Sequence, residues 1–295
     1  MTDTLLDAVR TYVDAHADAA GLAQTPIAGL TTIRSTVPSG LIHAVSQPLA
    51  CLVLQGVKQV TTGNRTVTFR AGDSLVITAD VPTVSQIVTA SPAEPYLSLV
   101  LDLDPAVIAE LTVQMKSAPV ADDTQVRHEP TDAEVTDAAL RLMRLLDRPA
   151  SIPVLHAQRV RELHYWLLAG RHGDAIRRLG WPGGHAERIG RAVALLRSDY
   201  ARPLPVERLA ATAGMSPSSF HQHFRDVTSL TPVQFQKQLR LIEARRIMMA
   251  EGSTASSAAF AVGYESVSQF TREYRRMFGM PPVRDTTAVR QMARA

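Results

Sequence analysis

The sequence predicts an α+β protein of two domains: an N-terminal half built on antiparallel strands with a helical section behind them, and a C-terminal half built of helices alone. Three observations carry this. Short runs rich in Val, Thr, Ile and Leu, broken by turn residues, occupy residues 27–103. Helical spacing of apolar residues takes over from Asp104. Residues 210–220 and 259–270 match each other, each joining an Ala-rich helix to a second helix across a glycine, Gly214 or Gly263. The domains are expected at 1–180 and 181–295.

Leu5, Val9, Tyr12 and Val13 recur at helical spacing, so a short amphipathic helix should precede the strands. Turn residues at 38–40, 63–64, 71–73, 81–82 and 91–92 then cut the β region into short strands, which indicates an antiparallel sandwich or barrel. A helix is expected from Thr131 to just before Pro149, with Leu140, Met143 and Leu146 on one side. A second should run over 154–169 with Leu155, Val160, Leu163, Trp166 and Leu167. These two helices carry more apolar surface than one small barrel needs covered, so a homodimer through them is expected. Residues 179–184, with three glycines and Pro182, read as a linker. Met143, Trp166 and Trp181 read as core or interface residues, because thioether and aromatic side chains fill space.

The two matching units read as helix-turn-helix motifs. In the first, Val206, Leu209 and Ala210 give the inner face of a supporting helix, Gly214 takes the turn, and Ser216 with Pro217 opens a second helix. Phe220 and Phe224 must face the core, which leaves Ser218, Ser219, His221, Gln222 and Arg225 outward. In the second unit Ser266 and Gln269 form a capping-box pattern and Phe270 marks the buried side. Val267, Ser268, Gln269, Arg272, Arg275 and Arg276 lie outside it; the alternative role for Gln269 is to cap the backbone without touching a base. Arg272 sits where a side chain reaches a guanine edge, and Arg275 and Arg276 sit where phosphates are met. Thr231 and Gln234 give another capping box, opening a helix to about Ala250 with Leu241, Ala244 and Met248 on one face. Twenty helical residues span roughly 30 Å, close to the spacing of successive major grooves on one side of B-DNA. Two units 49 residues apart on one such rod point to double-stranded DNA read at two adjacent places.

Composition agrees. The chain has 295 residues, 45% apolar and 20% charged, enough for two domain cores. Its net charge of +3 conceals a split: residues 1–150 hold 10 Lys and Arg against 17 Asp and Glu, whereas residues 151–295 hold 21 against 11. The basic half suits a polyanion. The lone cysteine, Cys51, excludes an intrachain disulfide framework and a Cys-based zinc site. The first residues lack a secretory pattern and no run of 18 apolar residues occurs, so a cytoplasmic protein with no membrane partner is expected.

Over about residues 184–284 the chain resembles the DNA-binding domain of the AraC/XylS family of bacterial transcription regulators. The matching positions are Leu209 and Ala210, Gly214 to Ser216, Phe220 and Phe224, Thr231 and Pro232, Arg240 to Ala244, Val262 to Ser266, Gln269 and Phe270, and Phe278 to Pro281. The resemblance implies base contacts from Ser218, His221 and Gln222 and from Val267, Ser268, Gln269 and Arg272. It implies RNA polymerase as a further partner if the protein activates. Ala255 and Ala258 depart from it, standing where the family carries larger aliphatic residues. Residues 27–103 resemble the cupin-like N-terminal domain of one subgroup, notably at 52–58, Gly63, Ala71, Gly72 and 95–97. That makes the expected barrel a cupin-like one that senses a small-molecule effector.

No cofactor is expected. A metal cupin needs converging His and Glu ligands, but the strands offer only His43, with Glu94 in a turn. No nucleophile–base set or phosphate loop occurs, so a non-enzyme is expected; the alternatives are a metal-independent cupin enzyme fused to a helical domain and a DNA-binding protein without ligand, regulated by its abundance. Alternation in the strand around Cys51 puts Cys51, Val53 and Gln55 on one face, opposite Leu52 and Leu54. That face is the candidate effector lining; otherwise Cys51 is a buried thiol acting as a small apolar residue.

Overall fold

A computed structural model describes residues 4–63, 65–115, 126–180 and 184–292. The chain divides into two compact units, Met1–Glu187 and Arg188–Ala295. In the first, helix α1 (Leu5–His16) opens with a reciprocal cap between Thr4 and Asp7 and buries Leu5, Val9 and Val13. Strands β1 (Leu22–Gln24), β2 (Leu30–Ser35), β3 (Ile42–Ser46), β4 (Leu49–Gln55), β5 (Val57–Thr62), β6 (Arg65–Arg70), β7 (Asp73–Ile77), β8 (Val81–Thr89) and β9 (Tyr96–Asp102) follow. Helix α2 (Pro105–Met115) and strand β10 (Val126–Pro130) lead to helices α3 (Ala133–Arg144), α4 (Ile152–Ala169) and α5 (Gly173–Arg177).

The strands form two antiparallel sheets, one ordered β1-β2-β9-β4-β7-β10 and the other β3-β8-β5-β6. The expected barrel is not closed: each sheet keeps two edges, so the cupin-like part is an open sandwich. Pro82 is not a break between strands but the second residue of β8, opposite Val45 of β3. Strand β10 has no counterpart in the sequence reading, because its short alternating run gains strand character only by pairing with β7.

One face of the larger sheet is covered by helices. Leu30, Ala50, Leu52, Val76, Leu99 and Leu101 share a core with Leu5 and Val9 of α1 and with Val135, Ala138, Leu142 and Leu163 of α3 and α4. The inner faces of α3 and α4 are rotated from expectation. On α3 the fully buried set is Val135, Ala138, Ala139, Leu142 and Met143, while Leu140 and Leu146 only border the core. On α4 Leu155 is exposed at 42% beside Val154 at 68%, and burial becomes continuous only from Leu163. Met143 is core and Trp166 packs against it. Trp181 lies outside the described residues.

Two buried histidines tie helices to strands. His164 Nε2 accepts from the Asp104 amide at 3.0 Å while its Nδ1 faces the Val160 carbonyl at 2.8 Å. His172 Nε2 lies 2.7 Å from Ser74 Oγ, and burial pushes its pKa down to about 4. The expected linker begins as packed structure: Leu179 and Gly180 are buried, and a Cβ on Gly180 would lie 2.4 Å from the Ala109 amide. Residues 181–183 of that segment lie outside the described residues.

The second unit is helical: α6 (His185–Ser198, which begins just before it), α7 (Val206–Ala213), α8 (Pro217–Thr228), α9 (Pro232–Ala250), α10 (Ala255–Ala261), α11 (Val267–Phe278) and α12 (Pro282–Met292).

Candidate nucleic-acid interface

In the first helix-turn-helix, α7 buries Leu209, Ala210 and Ala213 and stops at Gly214, which adopts a left-handed φ of 62°. Ser216 then caps α8, its Oγ accepting from the Ser219 amide at 3.3 Å, with Pro217 in the first turn. Phe220 and Phe224 are fully buried with ring centroids 5.3 Å apart, and Phe224 meets Phe235 of α9 edge-on. Their burial fixes the rotation of α8. Ser218, His221, Gln222 and Arg225 consequently form an exposed stripe at helical spacing. Arg188 of α6 secures the turn, donating to the carbonyls of Ala213 and Gly214.

The second unit repeats this with α10, Gly263 (φ 85°) and α11. Ser266 Oγ accepts from the Gln269 amide at 3.3 Å, and Phe270 and Tyr274 are fully buried. Ser268, Gln269, Arg272, Arg275 and Arg276 are exposed, and Val267 is half-buried. The expected capping box is one-sided, because the Gln269 side chain runs the other way and donates to Glu273 Oε1 at 3.3 Å. Glu273 also accepts from Tyr264 Oη at 2.9 Å and pairs with Lys237 at 3.0 Å. Burial works to raise the Glu273 carboxyl, but the bonds from Lys237, Tyr264 and Gln269 outweigh it and hold it below its ordinary range. Ala255 is half-buried and Ala258 fully buried; the aromatic series Tyr264, Phe270, Tyr274 and Phe278 occupies the surrounding core.

Helix α9 joins the units. Its Thr231–Gln234 capping box closes in both directions, the Gln234 amide donating to Thr231 Oγ1 at 3.3 Å and the Thr231 amide to Gln234 Oε1 at 3.0 Å. Leu241, Ala244 and Met248 are buried, and its 19 residues make a rod, about 28 Å long at 1.5 Å per residue. Arg272 and Arg276 of α11 line a groove of about 580 Å³ with Gln234, Lys237 and Gln238 of α9, so the cationic side of α11 continues onto the rod. Lys237 escaped the sequence reading because it lies outside both recognition helices. Among the described residues no ion pair involves Arg225, Arg272, Arg275 or Arg276. Arg245, by contrast, donates twice to Asp285, which also accepts from Tyr274 Oη at 2.6 Å; this arginine locks α12 onto α9 and α11.

The candidate effector residues separate. Cys51 and Val53 are buried on the face of β4 opposite Leu52, opposite Val100 and Ser98 of β9 in register. A bulge between Val53 and Gln55 breaks the alternation, so Gln55 pairs with Leu97 instead of continuing that face. Its amide is used structurally, accepting from Arg10 of α1 at 2.8 Å and donating to the Pro95 carbonyl at 2.7 Å. The residues that do join Cys51 and Val53 are Tyr96 and Ser98. Both are fully buried, and among the described residues neither hydroxyl has a hydrogen-bond partner of good geometry, the Tyr96 hydroxyl having only the loosely aligned Ser98 and Cys51 beside it. Burial, then the neighbouring Cys51, pushes the Tyr96 phenol well above its ordinary range.

Residues 26–175 match the family model described as the AraC-type transcriptional regulator N-terminus. The chain belongs to the AraC-type transcriptional regulators. Residues 209–286 of this regulator also match a helix-turn-helix domain model. The RCS-specific transcriptional activator RclR of Escherichia coli is 36% identical over 106 residues, 36% of this chain and 37% of RclR. A putative AraC-like regulator of Streptomyces lividans is 29% identical over 165 residues, 56% of this chain and 51% of that one. The alignments with these relatives thus span about half or less of their lengths. In fold the regulator resembles ToxT of Vibrio cholerae, with a TM-score of 0.59 at 8% identity over 90% of this chain and 99% of that one. A second ToxT structure, bound to (E)-4-(8-methylnaphthalen-1-yl)but-3-enoic acid, gives 0.57 at 10% identity over 83% and 93%. No helix among the described residues is long and apolar enough to cross a membrane.

Proposed function

We propose that this AraC-type regulator works in the cytoplasm as a homodimer that reads two adjacent major grooves of duplex DNA per protomer and responds to a small-molecule effector in its N-terminal sandwich. The carrying observation is the pair of exposed faces at opposite parts of one rigid rod. Ser218, His221, Gln222 and Arg225 lie on α8, and Ser268, Gln269, Arg272, Arg275 and Arg276 lie on α11, with α9 between the units. Polar side chains with arginines that no carboxylate among the described residues neutralises suit base edges and phosphates together. Ser218, His221, Gln222, Ser268 and Arg272 read bases; Arg225, Arg275 and Arg276 meet phosphates. Gln269 reads a base with both its amide groups only by leaving Glu273, and Val267 offers an apolar contact. In an activator the same DNA complex would present the protein to RNA polymerase.

For the sensing half, the support is the interior polar spot where Tyr96 and Ser98 hydroxyls lie beside Cys51 and Val53. A buried hydroxyl with only loosely aligned neighbours is costly, and a ligand with complementary groups relieves that cost. The dimer reading rests on the exposed Val154 and Leu155 at the start of α4. Mobility shift of the full chain against a genomic duplex pool at low salt tests the central claim. Shifted complexes that weaken steeply with salt are expected, and a chain that retains no duplex at low salt refutes it.

A further inference from the structure

We propose that Arg240 is a positioning residue that fixes the separation and rotation of the two recognition helices, and thereby sets which spacing between half-sites the regulator accepts. The inference rests on the two-groove reading above and concerns a residue on α9, outside both recognition helices. Arg240 lies near the middle of α9. Its Nε donates to the Tyr200 carbonyl at 2.7 Å and its Nη1 to the Gly263 carbonyl at 3.0 Å. Its Nη2 is shared between the carbonyls of Ala201 and Arg202, each at 3.3 Å. One turn earlier, Gln236 Nε2 donates to the same stretch, to Tyr200 at 3.0 Å and Arg202 at 2.6 Å.

The partners belong to different reading units. Residues 200–202 connect α6 to α7 and so carry the first helix-turn-helix, whereas Gly263 is the turn of the second. One planar guanidinium therefore holds both, through a fork that an ammonium cannot reproduce. The two backbones also touch directly. A Cβ on Gly263 would lie 1.9 Å from the Ala201 carbonyl oxygen, and the residue sits at a φ of 85°, so the close approach and the turn both require glycine. Tyr200, from the first unit's connection, packs against the aromatic core of the second. Pro203 and Pro205 then stiffen the remaining path into α7. Core packing seats each unit on the rod separately, Phe224 against Phe235 in the first and Leu241, Ala244 and Met248 with Phe270 in the second, and leaves the link from one unit to the other to the residues between them. The Arg240 clamp supplies that link.

A helix-capping role confined to stability predicts a lower melting temperature and nothing more. A positioning role predicts a change in spacing preference. The test uses the full chain and the duplex it selects from a random-sequence pool, with the segment between the two half-sites lengthened or shortened by one base pair. One base pair turns the second groove by about 34–36°, so the wild type is expected to lose about tenfold or more on the altered spacings. R240K, which keeps the charge, is expected to bind the selected site more weakly and to lose about threefold or less on altering it. Q236A, which leaves Arg240 in place, should fall between. If R240K folds and keeps the wild-type ratio between spacings, or if the wild type binds all spacings alike, the clamp does not set spacing. If R240K does not fold, Q236A decides: a reduced ratio supports the clamp and a wild-type ratio overturns it. A wild type that selects no sequence refutes the DNA reading itself, and the clamp with it.

Discussion

Neutralising Arg276 should change how binding depends on salt without changing which sequence is bound, whereas Arg272→Ala should do both. The recognition faces carry four arginines that take part in no ion pair among the described residues: Arg225, Arg272, Arg275 and Arg276. Lys237 is set aside because Glu273 holds it at 3.0 Å. If each of the four displaces one condensed counterion, log K falls against log salt with a slope of about −3.6 per protomer, and affinity drops about 150-fold between 50 and 200 mM salt. Arg276→Ala removes one contact, so the slope should become about 0.9 shallower on every duplex alike. Arg272→Ala should produce a similar slope change and additionally lose about 1–3 kcal/mol on the selected site only, relaxing discrimination at one base pair. Fluorescence anisotropy with labelled selected and scrambled duplexes, titrated from 50 to 300 mM KCl, measures both quantities at protein concentrations below dimer dissociation and again above it. An Arg276→Ala slope equal to that of the wild type on both duplexes would refute the assignment of this face to phosphates. Equal losses for Arg272→Ala on selected and scrambled duplexes would refute base reading at that position.

Replacing Val154 and Leu155 together with Asp should convert a dimer into a monomer in sedimentation equilibrium at micromolar concentration; an unchanged mass removes the start of α4 from the interface. Tyr96→Phe removes a buried hydroxyl whose neighbours Ser98 and Cys51 fall short of good hydrogen-bond geometry and should change stability in urea unfolding by less than about 1 kcal/mol, whereas a larger loss would mean that the hydroxyl is firmly bonded. Native Cys51, 2% exposed, should resist maleimide until the chain unfolds, and rapid labelling would place it on an open cavity instead. Burial holds His172 at about 4, below its ordinary 6.5. The folded protein therefore binds fewer protons than the unfolded one in that window, and the stability associated with neutral His172 is full above pH 6.5 and is lost as pH falls through 4. The gap corresponds to about 3 kcal/mol at most, so the urea midpoint of the wild type should fall further with acid than that of His172→Gln; parallel pH curves would contradict this.

The C-terminal half was legible because its determinants are local. A glycine at each turn, a Ser opening each second helix and aromatic pairs one turn apart fix which side of α8 and α11 is free, and no distant residue needs to be known. The N-terminal half was legible in kind but not in register. Alternation assigned Cys51, Val53 and Gln55 to one face, and the bulge after Val53 removed Gln55 from it. Nothing in 51–55 announces that bulge, which follows from how β4 meets β9 more than forty residues on. The same distance hid β10, whose partner is β7, and hid His172, whose burial depends on Ser74 across the sheet. Periodicity alone places Leu155 inward, but in the first turns of α4 only Ile152 is buried, and a periodic stripe says nothing about where its cover ends.

Two copies of one capping pattern show where local reasoning stops. Thr231 and Gln234 close their box in both directions, whereas Ser266 and Gln269 close only half of theirs. The difference lies four residues beyond Gln269, in Glu273. Its carboxylate is kept charged by Lys237 and Tyr264, and a charged acceptor one turn along the helix competes successfully with a backbone amide for the Gln269 side chain. Gln234 has no such competitor, since Gln238 stands at the equivalent position. The consequence reaches recognition. Gln269 can turn its whole amide to a base only by giving up a charge-assisted bond, while Arg272, paired with no carboxylate among the described residues, gives up nothing. The second helix should therefore draw most of its discrimination from Arg272 and Ser268, and Glu273→Gln, by weakening the hold on Gln269, should shift the preferred base opposite that residue more than it shifts overall affinity. Parallel selections on random duplexes with the wild type and this variant compare the two directly, and identical preferred bases would show that Gln269 does not reach the groove in either.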